Sequence, residues 1–129
     1  MNEDKLPPPK DRVLKMPRQN SVFLAGRLVR NVESAFSPDG ALVVTFPMAS
    51  NETYRVKSGE VKQTTLFVRV RAVGKVAEYV ESHFRKADPV LVMGKLMNDE
   101  RAFRGMSEPA QIVVVQATTV QPLDQETTL

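Results

Sequence analysis

The chain lacks cysteine and tryptophan, and its 129 residues include one histidine, His83. Without cysteine there is no disulfide, no thiol nucleophile and no zinc ribbon, which fits a reducing compartment. The lone histidine has no partner ligands at metal-site spacing and reads as a helix-surface residue beside Glu78 and Glu81. No glycine-rich phosphate loop closed by lysine occurs. The carboxylate pair Asp99-Glu100 is flanked by Arg101 and Arg104 and reads as solvated charge. No apolar run approaches the roughly 18 residues of a membrane span, and the first residues are polar and proline-rich, unlike a secretory signal. These absences leave a hydrolase without machinery. A binding protein is expected, not an enzyme, with no metal and no cofactor.

The charge is more informative in its distribution than in its sum of +3. Lys5, Lys10, Arg12, Lys15, Arg18, Arg27 and Arg30 crowd the first thirty positions, and no Lys or Arg follows Arg104. A basic front of this kind either tracks phosphate or solubilises the chain. Residues 1–19, with Pro7-Pro8-Pro9 and Pro17, have no apolar period and read as an extended arm. Residues 20–123 read as one folded domain and 124–129 as a short polar tail.

Within the domain the period is mostly two. Ser21 to Arg30 alternates, with Val22, Leu24, Gly26 and Leu28 on one face and Gly26 marking a bend or bulge. Ser37-Pro38-Asp39-Gly40 is a turn. Ala41 to Ser50 turns Leu42, Val44, Phe46 and Met48 inward, and Pro47 implies an edge or bulge. Residues 51–63 are polar and read as a hairpin tip or a long loop. Thr65 to Arg71 follows as the third strand. Then Val73, Val76, Ala77, Val80 and Phe84 fall at helical spacing, giving a helix over Gly74 to Lys86 with Arg85 and Lys86 in its last turn. Val90 to Met97 and Ile112 to Val120 are the fourth and fifth strands, separated by a polar loop over Asn98 to Pro109. The fold class is all-β: a five-stranded OB-type barrel with one helix between strands three and four.

The third strand carries the functional signal. Alternation sends Leu66, Val68 and Val70 one way and Phe67, Arg69 and Arg71 the other. A ring in file with two guanidinium groups suits a flat, anionic partner, because bases stack on rings and phosphates pair with arginine. The alternative is an ordinary amphipathic strand bearing two solubilising charges.

The stretches "NSVFLAGRL" from Asn20, "FSPDGALVVTFPMASNETYR" from Phe36 and "FVRVRAVGKVAEYVESHFRKADPVLVMGKL" from Phe67 resemble, with matching spacing, the bacterial-type single-stranded DNA-binding protein (SSB) family. The resemblance spans about Asn20 to Leu123. It implies an OB fold and assembly as a homotetramer, with a dimer as the alternative. It implies sequence-tolerant ssDNA binding in replication, repair and recombination, by a cytoplasmic, nucleoid-associated protein. It places stacking rings at Tyr54, Phe67 and Phe103, three exposed stacking rings in all. Arg27, Arg55, Lys62, Arg69 and Arg71 are expected to pair with phosphates, with Lys57 of the same basic type. The chain departs from the family by lacking tryptophan, by having Val73 where an aromatic is frequent, and by having Met97-Asn98-Asp99-Glu100 where basic residues are common. It ends in Glu126-Thr127-Thr128-Leu129 rather than an acidic tip with Pro-Phe, which removes the basis for expecting repair enzymes to be recruited that way. Two other functions fit the same fold: a primosome-type accessory protein bridging ssDNA and replication proteins, and an OB domain that binds protein or oligosaccharide.

Overall fold

The computed structural model describes residues 15–101, 104–105 and 107–123. The elements run β1 (Val22–Leu28), β2 (Glu33–Phe36), β3 (Leu42–Arg55), β4 (Val61–Val73), α1 (Lys75–His83), β5 (Pro89–Arg101) and β6 (Ala110–Pro122). β1 pairs with β5, β5 with β6, β6 with β4, β4 with β3, and β3 with β1 at Arg27↔Ala49 and Leu28↔Met48. These five strands therefore close a ring. β4 and β6 form its parallel pair. The short β2 lies outside the ring on β3 and was missed in the sequence, because four exposed residues have no apolar period. Setting it aside, the expected five-stranded barrel is present, with the helix following the third barrel strand.

The inward phase of the strands builds the core. Val44, Phe46 and Met48 of β3, Val70 and Ala72 of β4, and Val90 and Val92 of β5 are fully buried. Ala77 and Val80 of α1 are fully buried with them, and Phe84 nearly so, which confirms the helical spacing. The core carries no buried polar or charged side chain among the described residues.

Several boundaries differ from expectation. β3 and β4 extend through most of the polar stretch, so residues 51–63 form the outer half of a long hairpin whose tip is only 56–60. β5 runs to Arg101, well into the segment read as a loop. The helix stops at His83, because Phe84 turns extended (φ −120°, ψ 144°) to bury its ring. Arg85 and Lys86 thus follow the helix rather than close it. The next turn is pinned instead: Lys86 N–H donates to Asn31 Oδ1 (2.7 Å) and Ala87 N–H to the Leu28 carbonyl (2.8 Å).

Three positions show how the barrel closes. Pro47 causes no register shift against β4. It lies where the other neighbour of β3 changes from β2, whose pairing ends at Thr45, to β1, whose pairing begins at Met48. Its carbonyl accepts from Val29 N–H (2.8 Å), so the donor that proline lacks falls where no ladder partner waits. A Cβ on Gly26 would lie 2.3 Å from the Ala49 carbonyl oxygen, with no register shift in β1. A Cβ on Gly94 would lie 2.0 Å from the Gln116 oxygen, beside a bulge between Met93 and Gly94. Only glycine allows these backbones to approach so closely.

Candidate nucleic-acid interface

Residues directly paired across antiparallel strands share a face. The pairings Arg27↔Ala49 and Ala49↔Phe67 therefore set one row across β1, β3 and β4, with a small alanine between a guanidinium and a ring. At a strand spacing of about 4.8 Å the two flanking residues stand about 10 Å apart. The next outward rows are Pro47↔Arg69 and Glu33↔Thr45↔Arg71. Small residues line β3 along this face, so the β4 side chains stand above a shallow floor.

Phe67 is 70% exposed on this face although it lies in a central barrel strand. Arg69 is half-buried beside it. Its partial burial pushes the guanidinium below the ordinary arginine value, and nearby Arg101 pushes the same way. Glu33 opposes, Arg30 adds to the lowering and Asp99 opposes. Arg30 and Arg101 thus join the cationic cluster, although sequence spacing had not singled them out. Arg101 reaches it only because β5 continues past Met97. The negative charge of a phosphate there would offset the repulsion and the cost of desolvation.

The remaining predicted residues do not all gather on this face. The one-to-one β3–β4 register puts Tyr54 opposite Lys62. Alternation places that pair on the other side of the hairpin from Phe67. Tyr54 is 49% exposed there. Arg55 has the Phe67 phase, but its Nη1 donates to the Gly59 carbonyl across the tip (2.8 Å). Arg27 donates through Nη1 to the Ala87 carbonyl (2.9 Å), so it secures the turn after α1 as well as flanking the row. Lys57 is exposed at the tip. Phe103 lies outside the described residues.

Two corrections follow. Leu66, expected inward with Val68 and Val70, is exposed, because the barrel has ended at that height. The exposed rings are also more numerous than the three expected: Phe23, Phe36 and Tyr79 are exposed as well. Phe23 was legible as the residue out of phase with Val22 and Leu24. It shares the outward phase of Arg27 and faces Met93 of β5. Phe36 pairs with Leu42 and so has the opposite phase from Phe67.

A closed five-stranded barrel with a helix after its third strand, and a ring-and-guanidinium face on that strand, defines the OB-fold binding proteins. Within that class the sequence profile of the Single-strand binding protein family matches residues 19–123, and the chain belongs to that family. It is similar to the single-stranded DNA-binding protein of Aquifex aeolicus, 37% identical over 81 residues, which cover 63% of this chain and 55% of the relative. It is also similar to that of Fusobacterium nucleatum, 30% identical over 95 residues, 74% of this chain and 62% of the relative. The chain spans about half the length of the curated relatives it matches. Among solved structures, a deletion mutant of the single-stranded DNA binding protein from Thermus aquaticus superposes with a TM-score of 0.71 at 25% identity, covering 83% of this chain and 51% of that one. The SSB of Plasmodium falciparum, solved in complex with ssDNA, shares the fold with a TM-score of 0.73 at 24% identity over 86% of this chain and all of that one.

Proposed function

We propose that the protein binds single-stranded DNA with little sequence preference, stacking bases on Phe67 and pairing phosphates with Arg69, Arg71 and Arg27. The observation that carries this reading is the exposed Phe67 ring set in a row with Arg27, beside a half-buried Arg69 whose pKa is lowered by burial and by Arg101. The relatives' name supports it. The mechanism is binding, not catalysis. Every base offers a π-face, so stacking tolerates any sequence, while phosphate pairing releases counterions and weakens with salt.

Tyr54 with Lys62 forms a second contact on the far side of the hairpin, which a strand reaches by crossing its edge. Phe103 and Arg55 belong to the same proposed path. The role follows: protecting ssDNA exposed in replication, repair and recombination, in the cytoplasm at the nucleoid. Residues 1–19 act as a basic arm beside a domain over 20–123, with 124–129 a polar tail.

The protein works as a homo-oligomer, a tetramer or a dimer. β3 covers only Arg27 and Leu28 of one β1 edge, which leaves that edge of Val22 to Gly26 without a strand partner among the described residues. Leu66, Leu96 and Val113 are exposed apolar residues suited to contact between copies.

The test is a titration of Phe67→Ala against labelled oligo-dT at low salt. The variant should fold normally and lose at least about fivefold in affinity, since one stack is worth about 1–3 kcal/mol. Unchanged affinity would remove Phe67 from the site. Light scattering of the free protein and of its complex reports the assembly; a monomer in both would overturn the oligomer.

A further inference from the structure

The face built on β4 ends at Arg71 and Val73, yet the surface beyond it has features of the same kind. Lys75, Tyr79 and His83 are spaced by four and share one side of α1. The Tyr79 and His83 rings stack with centroids 4.0 Å apart and planes at 23°. His83 Nδ1 lies 2.8 Å from the Tyr79 carbonyl oxygen, which holds the imidazole over the phenol. Tyr79 is 38% exposed and His83 is exposed, so this ring stack faces solvent.

Beside the stack lies a groove of about 360 Å³ between α1 and β6. Val76 and Val120 give it an apolar floor, Tyr79 an aromatic wall, Thr118 and Gln121 hydrogen-bonding edges, and Lys75 a cation at one end. Among the described residues that line it there is no carboxylate. Glu81 accepts a hydrogen bond from Ser34, on the β2 side of the helix. The groove also continues the proposed face. Arg71 stands opposite Gln116 of β6, and the β6 wall begins two residues on, at Thr118. On the other flank Gly74 leads directly from β4 to Lys75.

We infer that the α1–β6 groove is a second base-stacking subsite for single-stranded DNA, in which a nucleobase extends the Tyr79–His83 stack and its phosphate meets Lys75. The inference rests on the ssDNA reading above. A strand leaving Arg71 at the end of β4 meets Lys75 next and then an aromatic wall. The groove matches a nucleotide in shape and in charge: flat and apolar for the base, polar at its edge and cationic for the phosphate. A protein segment could use the apolar floor but has no need of a ring stack in line with a lysine.

The chain provides clean reporters. His83 is its one histidine, and Tyr54 and Tyr79 are its two tyrosines, with no tryptophan to mask them. The experiment titrates the full-length wild type with oligo-dT at constant pH. It follows the His83 Cε1–H resonance by proton NMR, and oligonucleotide anisotropy in parallel. Tyrosine emission of Tyr54→Phe, whose emission comes from Tyr79, is followed in the same way. The expected result is an upfield shift of the His83 signal and quenching of Tyr79, both saturating with the anisotropy. Tyr79→Ala should lose about fivefold in affinity. Because Tyr79 also meets Phe84 edge-on at 5.8 Å, that variant could loosen the helix, so the wild-type resonance is the primary readout. Anisotropy that rises while both reporters stay unmoved overturns the groove and leaves the Phe67 face standing. No anisotropy change at low salt overturns both.

Discussion

The β3–β4 ladder has two halves that share one register and one period but not one environment. In the barrel half, from Val43↔Val73 to Met48↔Val68, the inward phase is walled by β1, β5, β6 and α1. Phe46 and Val70 face each other there with no exposed surface. In the outer half, from Ser50↔Leu66 to Arg55↔Val61, the same alternation continues, yet the bases of the sorting are gone. Leu66, on the inward phase, is 48% exposed. Alternation chooses a side; only a neighbour across that side makes it an inside. The outer half is thus an arm, held by its ladder, by Thr65 Oγ1 donating to Asn51 Oδ1 (2.7 Å) and by Ser50 Oγ donating to the Ala25 carbonyl (2.7 Å).

The largest effect expected from this contrast is in the barrel half. Phe46→Ala should cost about 3–5 kcal/mol by leaving a large cavity in a closed core, read as a shift in urea midpoint. A cost below about 1 kcal/mol would mean that the barrel collapses onto the void. Next is Arg69→Met on the outer face. Burial lowers the folded-state pKa of this guanidinium, so its charged form is disfavoured by folding throughout the neutral range. Removing the charge should leave stability unchanged or raised, while ssDNA affinity falls and the log–log salt slope shrinks by about 0.7. A variant that loses stability and affinity together would make Arg69 a structural residue.

In the arm, Leu66→Ala should cost less than about 1 kcal/mol, since little of the side chain is withdrawn from water. If it instead shifts the mass in solution, the arm is walled by a second copy.

The smallest effect concerns the turn that starts the barrel half. Asp39 is held below its usual 3.8 by the hydroxyl of Ser37, which donates to its carboxylate, and by the Ala41 backbone. A depressed carboxyl stabilises the fold above its unfolded value, and the contribution disappears as pH falls through the lower folded value. The stability gap between wild type and Asp39→Asn should therefore be present at pH 7 and shrink below about pH 4. A gap independent of pH would assign it to shape rather than charge.

The candidate site was legible to the same degree as the fold. Phe67, Arg69 and Arg71 were readable together because they sit at alternate positions of one strand, and pleating alone puts them on one face. Tyr54 was readable as exposed but not as lying on the far side, because its face depends on an unbroken register of thirteen pairs counted back from the barrel. Arg30 and Arg101 were invisible as neighbours of Arg69, because they come from the β1–β2 connection and from the end of β5.

The order of strands and helix, the phase of the core residues and the ring-and-arginine strand follow from local rules of period and turn chemistry, which the sequence carries by itself. The tertiary structure alone decided where that phase stops being an interior. Barrel closure covers Val70 and leaves Leu66 bare. It admits only glycine at 26 and 94, and it seats Pro47 where the neighbours of β3 change. It also brings α1 against β6 to open the groove beside Tyr79. The reason is one of range: a side chain's direction is set by its own backbone, but its burial is set by strands and helices far away in the chain.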